Sequence, residues 1–281
     1  MNKINIYSFA DEANEKIEGQ IEAMQRNALT GIEIRNINGR NVVELENKEA
    51  MEVKKQLDAA GLKVISIGSA IGKIDIEKDD FVKHIEKFKY SIEKANIFET
   101  DKIRMFSFFI PEDKPSEFFR NEVIERLGTL IDIAKKSGIS LCHENEKGIY
   151  GDTAERCLEL HNAFPELNGV FDPANFVQCG QDTKVAWELL KNYITYMHIK
   201  DALFDGNVVP AGKGAGNVEY VVKRFIERGG RDFTIEPHLS IFNGIENLER
   251  DGDASEVGKK YVYASNDEAF DAAVAAFREI I

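Results

Sequence analysis

The stretch Ile139–Asp152, ISLCHENEKGIYGD, decides how the rest of the chain is read. Apolar Ile139 and Leu141 alternate with Ser140 and Cys142, the period-two pattern of a strand. The run then presents His143, Glu144 and Glu146 before Lys147-Gly148 breaks it. Alternation puts Ser140, Cys142 and Glu144 on one face and Ile139, Leu141 and His143 on the other. Glu146 would share the face of Glu144 if the strand ran on, but the break assigns it to a loop. A single carboxylate at a strand end is usually a solvated rim residue, so its meaning depends on whether neighbouring strands repeat the arrangement.

Similar short apolar runs recur at 4–9 (INIYSF), 31–36 (GIEIRN), 63–68 (KVISIG), 103–109 (IRMFSFF), 168–172 (NGVFD), 196–200 (YMHIK) and 232–236 (DFTIE). Between them lie apolar positions at three-to-four spacing: Ile17, Ile21, Met24 and Leu29; Val82, Ile85, Phe88 and Ile92; Val123, Leu127, Leu130, Ile131 and Ala134; Val221, Val222 and Phe225. Each set predicts one face of an amphipathic helix. Gly61, Gly138 and Gly229-Gly230 close helices just before the next strand. Eight strand–helix units in 281 residues, without a linker or low-complexity segment, predict an α/β chain folded as a single-domain (β/α)8 barrel over 1–281. The irregular segment 240–264 precedes a last helix near 266–280, for which Ser265 or Asn266 is the expected N-cap.

Strand parity then sorts the faces. Ile32 and Ile34, Met197 and Ile199, and Phe233 and Ile235 face the helices. Glu33 and Arg35, Tyr196, His198 and Lys200, and Thr234, Glu236 and His238 face inward, and Val170 shares a face with Asp172. Four consecutive strands therefore end on inward ionisable groups: Glu144, Asp172, His198 and Glu236. Neighbouring strands lie only ~4.8 Å apart. Three anions that close cannot all stay ionised without a cation, and three oxygens with one nitrogen suit Mn²⁺, Mg²⁺, Co²⁺ or Zn²⁺.

Ordered along the second half of the chain are CHEN, GVFDPANF, YMHIKD, PAGKGAGNVEY and FTIEP. In this set the sequence resembles the sugar phosphate isomerase/epimerase superfamily, the xylose-isomerase-like TIM barrels that include the ketose 3-epimerases. The resemblance implies a divalent metal, often Mn²⁺, on Glu144, Asp172, His198 and Glu236, with Glu144 and Glu236 also serving as the catalytic acid/base pair. It implies an enzyme that isomerises or epimerises a small sugar by proton transfer through a metal-stabilised enediolate. The alternative on the same scaffold is a metal-dependent dehydratase of a sugar- or polyol-derived keto compound. Ketose epimerases carry a substrate-contacting His three residues beyond the strand-six aspartate; here Asn175 stands there, a hydrogen-bonding group that does not titrate. Pairing of barrels is common in the family, so a homo-oligomer is a further implication.

Other residues fall around this core. Lys200 is expected in the pocket as a substrate contact or else in a rim salt bridge. Glu146 and His238 are expected as loop contacts to substrate. Glu33 and Arg35 either line the mouth or pair with each other. Arg104, early in its strand, is read as structural. The glycine-rich run AGKGAGN (211–217), with Lys213, offers either a phosphate cradle or a plain tight turn. His84 and His161 are read as helix-packing or surface residues. A net charge of −13 without a Lys/Arg cluster argues against nucleic acid, including the related abasic-site nucleases, which need more His than the five present. No membrane span or secretion signal is legible, and three irregularly spaced cysteines (Cys142, Cys157, Cys179) suggest a reducing cytoplasm.

Overall fold

In the computed structural model, which describes residues 3–242 and 261–281, eight parallel strands close on themselves. They are β1 (Asn5–Ser8), β2 (Gly31–Ile34), β3 (Lys63–Ile71), β4 (Lys102–Met105), β5 (Ser140–Glu144), β6 (Asn168–Phe171), β7 (Ile194–Ile199) and β8 (Asp232–Ile235). Closure is made by β1, which pairs with β8 (Asn5 opposite Asp232, Ser8 opposite Ile235) and with β2. The expected (β/α)8 barrel is therefore the observed fold.

The helices are α1 (Ile17–Arg26), α2 (Asn47–Ala59), α3 (Phe81–Ile97), α4 (Arg120–Lys136), α5 (Ala154–Ala163), α6 (Pro173–Gln178), α7 (Thr183–Leu190), α8 (Val218–Glu227) and α9 (Asn266–Arg278). Their apolar stripes pack on the outward strand residues: Ile32, Ile34, Met197, Ile199, Phe233 and Ile235 join Met24, Phe88, Leu127, Leu130, Val221 and Phe277 in one core. Each such side chain contributes roughly 1.5–3 kcal/mol by leaving water. Val82 departs from its expected stripe; it sits at the start of α3 and is 70 % exposed, while Ile85, Phe88 and Ile92 face the core. Gly61, Gly138 and Gly229 adopt φ of +72°, +70° and +97°, the left-handed conformation expected where these helices end. Ser265 caps α9, its hydroxyl accepting from Glu268 N at 3.1 Å.

Inside the barrel a second apolar layer forms from Tyr7, Ile65, Cys142, Val170 and Tyr196. This plug closes the lumen and floors whatever lies above it. Glu33, Arg104, Glu144, Asp172 and His198 are buried around it. Of the segment 240–264, residues 243–260 lie outside the described residues.

Candidate metal centre

Asp172 shows how local folding aims a ligand. It ends β6 and is the N-cap of α6, so its Oδ1 accepts from Asn175 N at 2.9 Å, while Pro173 fills the first helical position, which has no partner for an N–H. Its backbone is gripped from β5: Asn145 Nδ2 donates to Asp172 O at 2.9 Å, and Asp172 N donates to Asn145 Oδ1 at 3.0 Å. With one oxygen committed to the cap, Oδ2 is left pointing into the mouth. It is buried and accepts no hydrogen bond; Lys200 Nζ lies 3.1 Å away but is not aligned to donate.

Glu144, His198 and Glu236 close around it. His198 Nδ1 lies 2.9 Å from Glu144 Oε1 and 3.5 Å from Glu236 Oε2. Glu144 Oε2 takes Arg104 Nη1 at 3.1 Å, and Asn175 Nδ2 reaches Glu144 Oε1 at 3.4 Å. Lys200 Nζ donates to Glu236 Oε2 at 2.9 Å. One ligand atom from each of Glu144, Asp172, His198 and Glu236 lies within 4.8 Å of the other three, and all four residues are buried. Ligands ~2.1 Å from a common ion stand at most ~4.2 Å apart, so small rotamer changes bring the set onto one cation.

Electrostatics favour such a cation. Burial, with Glu236 and Glu144 adding like charge, pushes Asp172 up to about 7 despite Lys200. Burial would also drive His198 neutral, but Glu144 and Glu33 outweigh it and hold the imidazole well above its ordinary range. Glu236 also resists burial, held well below the usual carboxylate range by Lys200, His238 and His198. A buried oxygen without a donor, inside a hard donor set of three carboxylates and one imidazole, fits a divalent ion.

The other expected contacts are distributed unevenly. Lys200 is in the pocket, bridging Asp172 and Glu236, and not at the rim. Asn175 is buried against Glu144 and Asn145. Glu146 stands on the loop, 20 % exposed at its side chain and 2.9 Å from Lys73 Nζ. His238 is held in a left-handed turn (φ +45°) with its N–H on Glu12 Oε2 at 2.6 Å and its Nδ1 3.0 Å from Glu12 Oε1.

Two expectations need correction, and one open alternative is decided. Glu33 neither lines the mouth nor pairs with Arg35; it is 0 % exposed, bonded to the Tyr196 hydroxyl and facing His198 Nε2. Arg35 turns instead to Asp11 (2.9 Å), Glu12 (3.1 Å) and Glu236 (3.5 Å). Arg104 is no remote structural residue: register pairs it with Cys142, one inward step below Glu144, and its long side chain spans that step. The glycine-rich run does not cradle phosphate. Its N–H groups at Gly212, Gly214 and Gly216 donate to Asp201 at 2.8–3.0 Å, so an internal carboxylate fills the nest. A Cβ on Gly214 would lie 2.3 Å from Asp201 Oδ1, which is why that position needs glycine.

A second group, Glu12, Glu236 and His238, also brings three ligand atoms within 4.8 Å. Arg35, a fixed cation, already lies against Glu12 and Glu236, so this cluster is neutralised without a metal. His84, His143 and His161 are buried away from the mouth, bonded to Gly72 N, Ser107 Oγ and Leu167 O. Among the described residues, each of the two groups that could gather three or more ligand atoms contains one histidine.

A family model described as xylose isomerase-like TIM barrel matches residues 21–256. A curated relative, the 3-dehydroshikimate dehydratase of Bacillus anthracis, is 24 % identical over 204 residues, covering 69 % of this chain and 72 % of its own length. Among solved structures, the IOLI protein with bound zinc superposes with a TM-score of 0.75 at 16 % identity, covering 99 % of this chain and 98 % of its own. The D-allulose 3-epimerase of a Methylomonas species gives a TM-score of 0.75 at 13 % identity, with 99 % and 98 % covered.

Proposed function

Because the chain belongs to the xylose isomerase-like TIM barrel family, we propose that it is a divalent-metal-dependent enzyme that removes a proton beside the carbonyl of a small sugar or sugar-derived substrate. The observation that supports this most directly is the convergence of four buried ligand atoms, one of which, Asp172 Oδ2, has no donor. A cation held there would polarise a carbonyl and an adjacent hydroxyl and so acidify the C–H beside them. The donor set accepts Mn²⁺, Mg²⁺, Co²⁺ or Zn²⁺; Mn²⁺ follows from the resemblance, and a neighbour of the same fold holds zinc.

The residues divide the work unequally. In this reading Lys200 Nζ, 2.9 Å from Glu236 Oε2, turns its hydrogen bond to substrate and leaves the carboxylate, with Arg35 3.5 Å from its other oxygen, to take a proton from carbon and return it. Lys200 then donates to a substrate oxygen. Glu144 is clamped by Arg104 on one oxygen and by His198 and Asn175 on the other. Glu146 and Lys73 close the rim, and Asn175 and His238 are placed to orient substrate hydroxyls. Return of the proton to the neighbouring carbon gives isomerisation. Return to the opposite face gives epimerisation and requires Glu144 to leave Arg104 as the second acid/base group.

The clamp on Glu144 favours a second reading, dehydration, in which one base removes the proton and a β-hydroxyl departs as water. The dehydratase relative points the same way. Incubation with a panel of ketoses and β-hydroxy ketones in D2O, followed by NMR, separates the outcomes. Deuterium in recovered or rearranged sugar supports isomerisation or epimerisation, and an enone with loss of water supports dehydration. Absence of both across the panel after loading with each of the four ions would sink the proposal. Three free cysteines fit the reducing cytoplasm expected for such an enzyme. No described helix is long and apolar enough to cross a membrane.

A further inference from the structure

We propose that Glu33 is the positioning residue of the metal centre, fixing His198 so that its Nε2–H points into the barrel and its Nδ1 faces Glu144, Asp172 and Glu236. This rests on the metal reading above but concerns a residue that neither ion nor substrate would touch. Glu33 is the penultimate residue of β2, on the inward face, and is 0 % exposed. Its Oε1 accepts the Tyr196 hydroxyl at 2.8 Å, and its Oε2 lies 3.0 Å from His198 Nε2. An ionised carboxylate is acceptor-only, so the proton in that contact belongs to Nε2. Without a cation the same reasoning gives Nδ1 a proton too, since it lies 2.9 Å from Glu144 Oε1; a cation taken up at Nδ1 would displace that proton and leave the Nε2–H on Glu33.

The clamp is itself braced. Tyr196 is rooted in the apolar plug with Tyr7, Ile65, Cys142 and Val170, so its hydroxyl cannot drift away from Glu33. Phe9 meets the His198 ring edge-on at 5.2 Å and limits its rotation. A carboxylate buried this deeply would be costly unless it served a partner, and the two groups it bonds are Tyr196 and His198. Ligating imidazoles are commonly oriented in this way by the group on their other nitrogen, and loss of that group costs about 10- to 100-fold in metal affinity.

Two readouts on the full chain test the assignment. Side-chain ¹⁵N NMR of the histidines, with His198→Gln identifying the resonance, reports which nitrogen carries hydrogen. We expect a protonated Nε2 before and after Zn²⁺ is added, with Zn²⁺ perturbing Nδ1; a bare Nε2 overturns the orientation even if Zn²⁺ binds. Zn²⁺ affinity by chelator competition is then compared among wild type, Glu33→Gln, Glu33→Leu and Tyr196→Phe. The expected losses are about 100-fold for Glu33→Leu, about 10-fold for Glu33→Gln and a few-fold for Tyr196→Phe. Unchanged affinity in variants that only melt earlier would show a merely structural role and overturn the proposal. If Glu33→Leu does not fold, the two near-isosteric variants carry the comparison. Wild type that takes up no Zn²⁺ while Nε2 is protonated would sink the metal reading alone and leave the orientation by Glu33 confirmed.

Discussion

The two halves of the barrel mouth use the same strand-end positions for opposite purposes. On β5 to β8 three carboxylates and one imidazole crowd together, with Lys200 between two of the carboxylates and Asp172 Oδ2 accepting no hydrogen bond. On β1 to β4 the mouth carries a ladder of cations and aromatic rings. Arg35 lies 4.3 Å from the Phe9 ring and 5.0 Å from Phe242; Arg104 lies 5.0 Å from Phe9 and 4.9 Å from Phe106; Lys73 lies 4.5 Å from Phe106. Each cation in this ladder also pairs with a carboxylate. One half is complete within itself, whereas the other gathers four ligand atoms that, in the proposal above, hold a cation. The difference shows why acidic residues at strand ends do not by themselves locate a metal: Asp11 and Glu12 are as buried as the ligands but already have Arg35.

The largest effect that tests this division is on Glu236. Glu236→Gln should cut solvent-deuterium incorporation into substrate by about 10²–10⁴-fold, the usual worth of a general base. A variant within tenfold of wild type would move the proton transfer elsewhere. Arg104 joins the halves, and Arg104→Met leaves Glu144 buried with one oxygen unpaired. Removing one partner of a buried pair costs about 3–5 kcal/mol, read as a fall in denaturation midpoint of the chelated protein. A loss under 1 kcal/mol would mean the ladder is not what holds Glu144.

Asp172 gives the comparison a pH signature. Its carboxyl is raised from 3.8 to about 7 by burial and by Glu236 and Glu144, so the ligand form dominates only above that pH. Metal affinity should climb with pH through about 7 as Asp172 ionises, and go on climbing above it while His198 still has a proton to lose. For the chelated protein the linkage has the opposite sign. A raised carboxyl contributes stability that is present at acid pH and lost between about 3.8 and 7, and Asp172→Asn should flatten that slope in pH-dependent melting. The smallest effect belongs to Lys213. The glycine run is filled by Asp201, so Lys213→Ala should change stability by less than ~0.5 kcal/mol and leave substrate preference unaltered in competition with inorganic phosphate.

Much of this was legible because strand alternation is strict. Apolar Ile139 and Leu141, Met197 and Ile199, and Phe233 and Ile235 fix parity, and parity carries Glu144, His198 and Glu236 inward without knowledge of the fold. Depth was not legible. Glu33 has the right parity, but sequence does not say that β2 sets it where Tyr196 and His198 meet it. Arg104 also had inward parity, flanked by Ile103 and Met105; the missing fact was the register that lets a long side chain reach one step upward to Glu144. Asp11 and Glu12 lie in a 3₁₀ turn after β1, where alternation no longer applies. Asp201 satisfies N–H groups eleven to fifteen residues later, a pairing that glycine spacing alone cannot distinguish from a phosphate cradle.

The central claim is that Glu144, Asp172, His198 and Glu236 hold one divalent cation, and elemental analysis after supplementation with Mn²⁺, Mg²⁺, Co²⁺ or Zn²⁺ and desalting tests it most directly. The account predicts one equivalent per chain of at least one of these ions in the wild type, and loss of that equivalent in Asp172→Asn and Glu144→Gln variants that remain folded. Wild-type protein that retains none of the four, or an Asp172→Asn variant that retains a full equivalent, would contradict it.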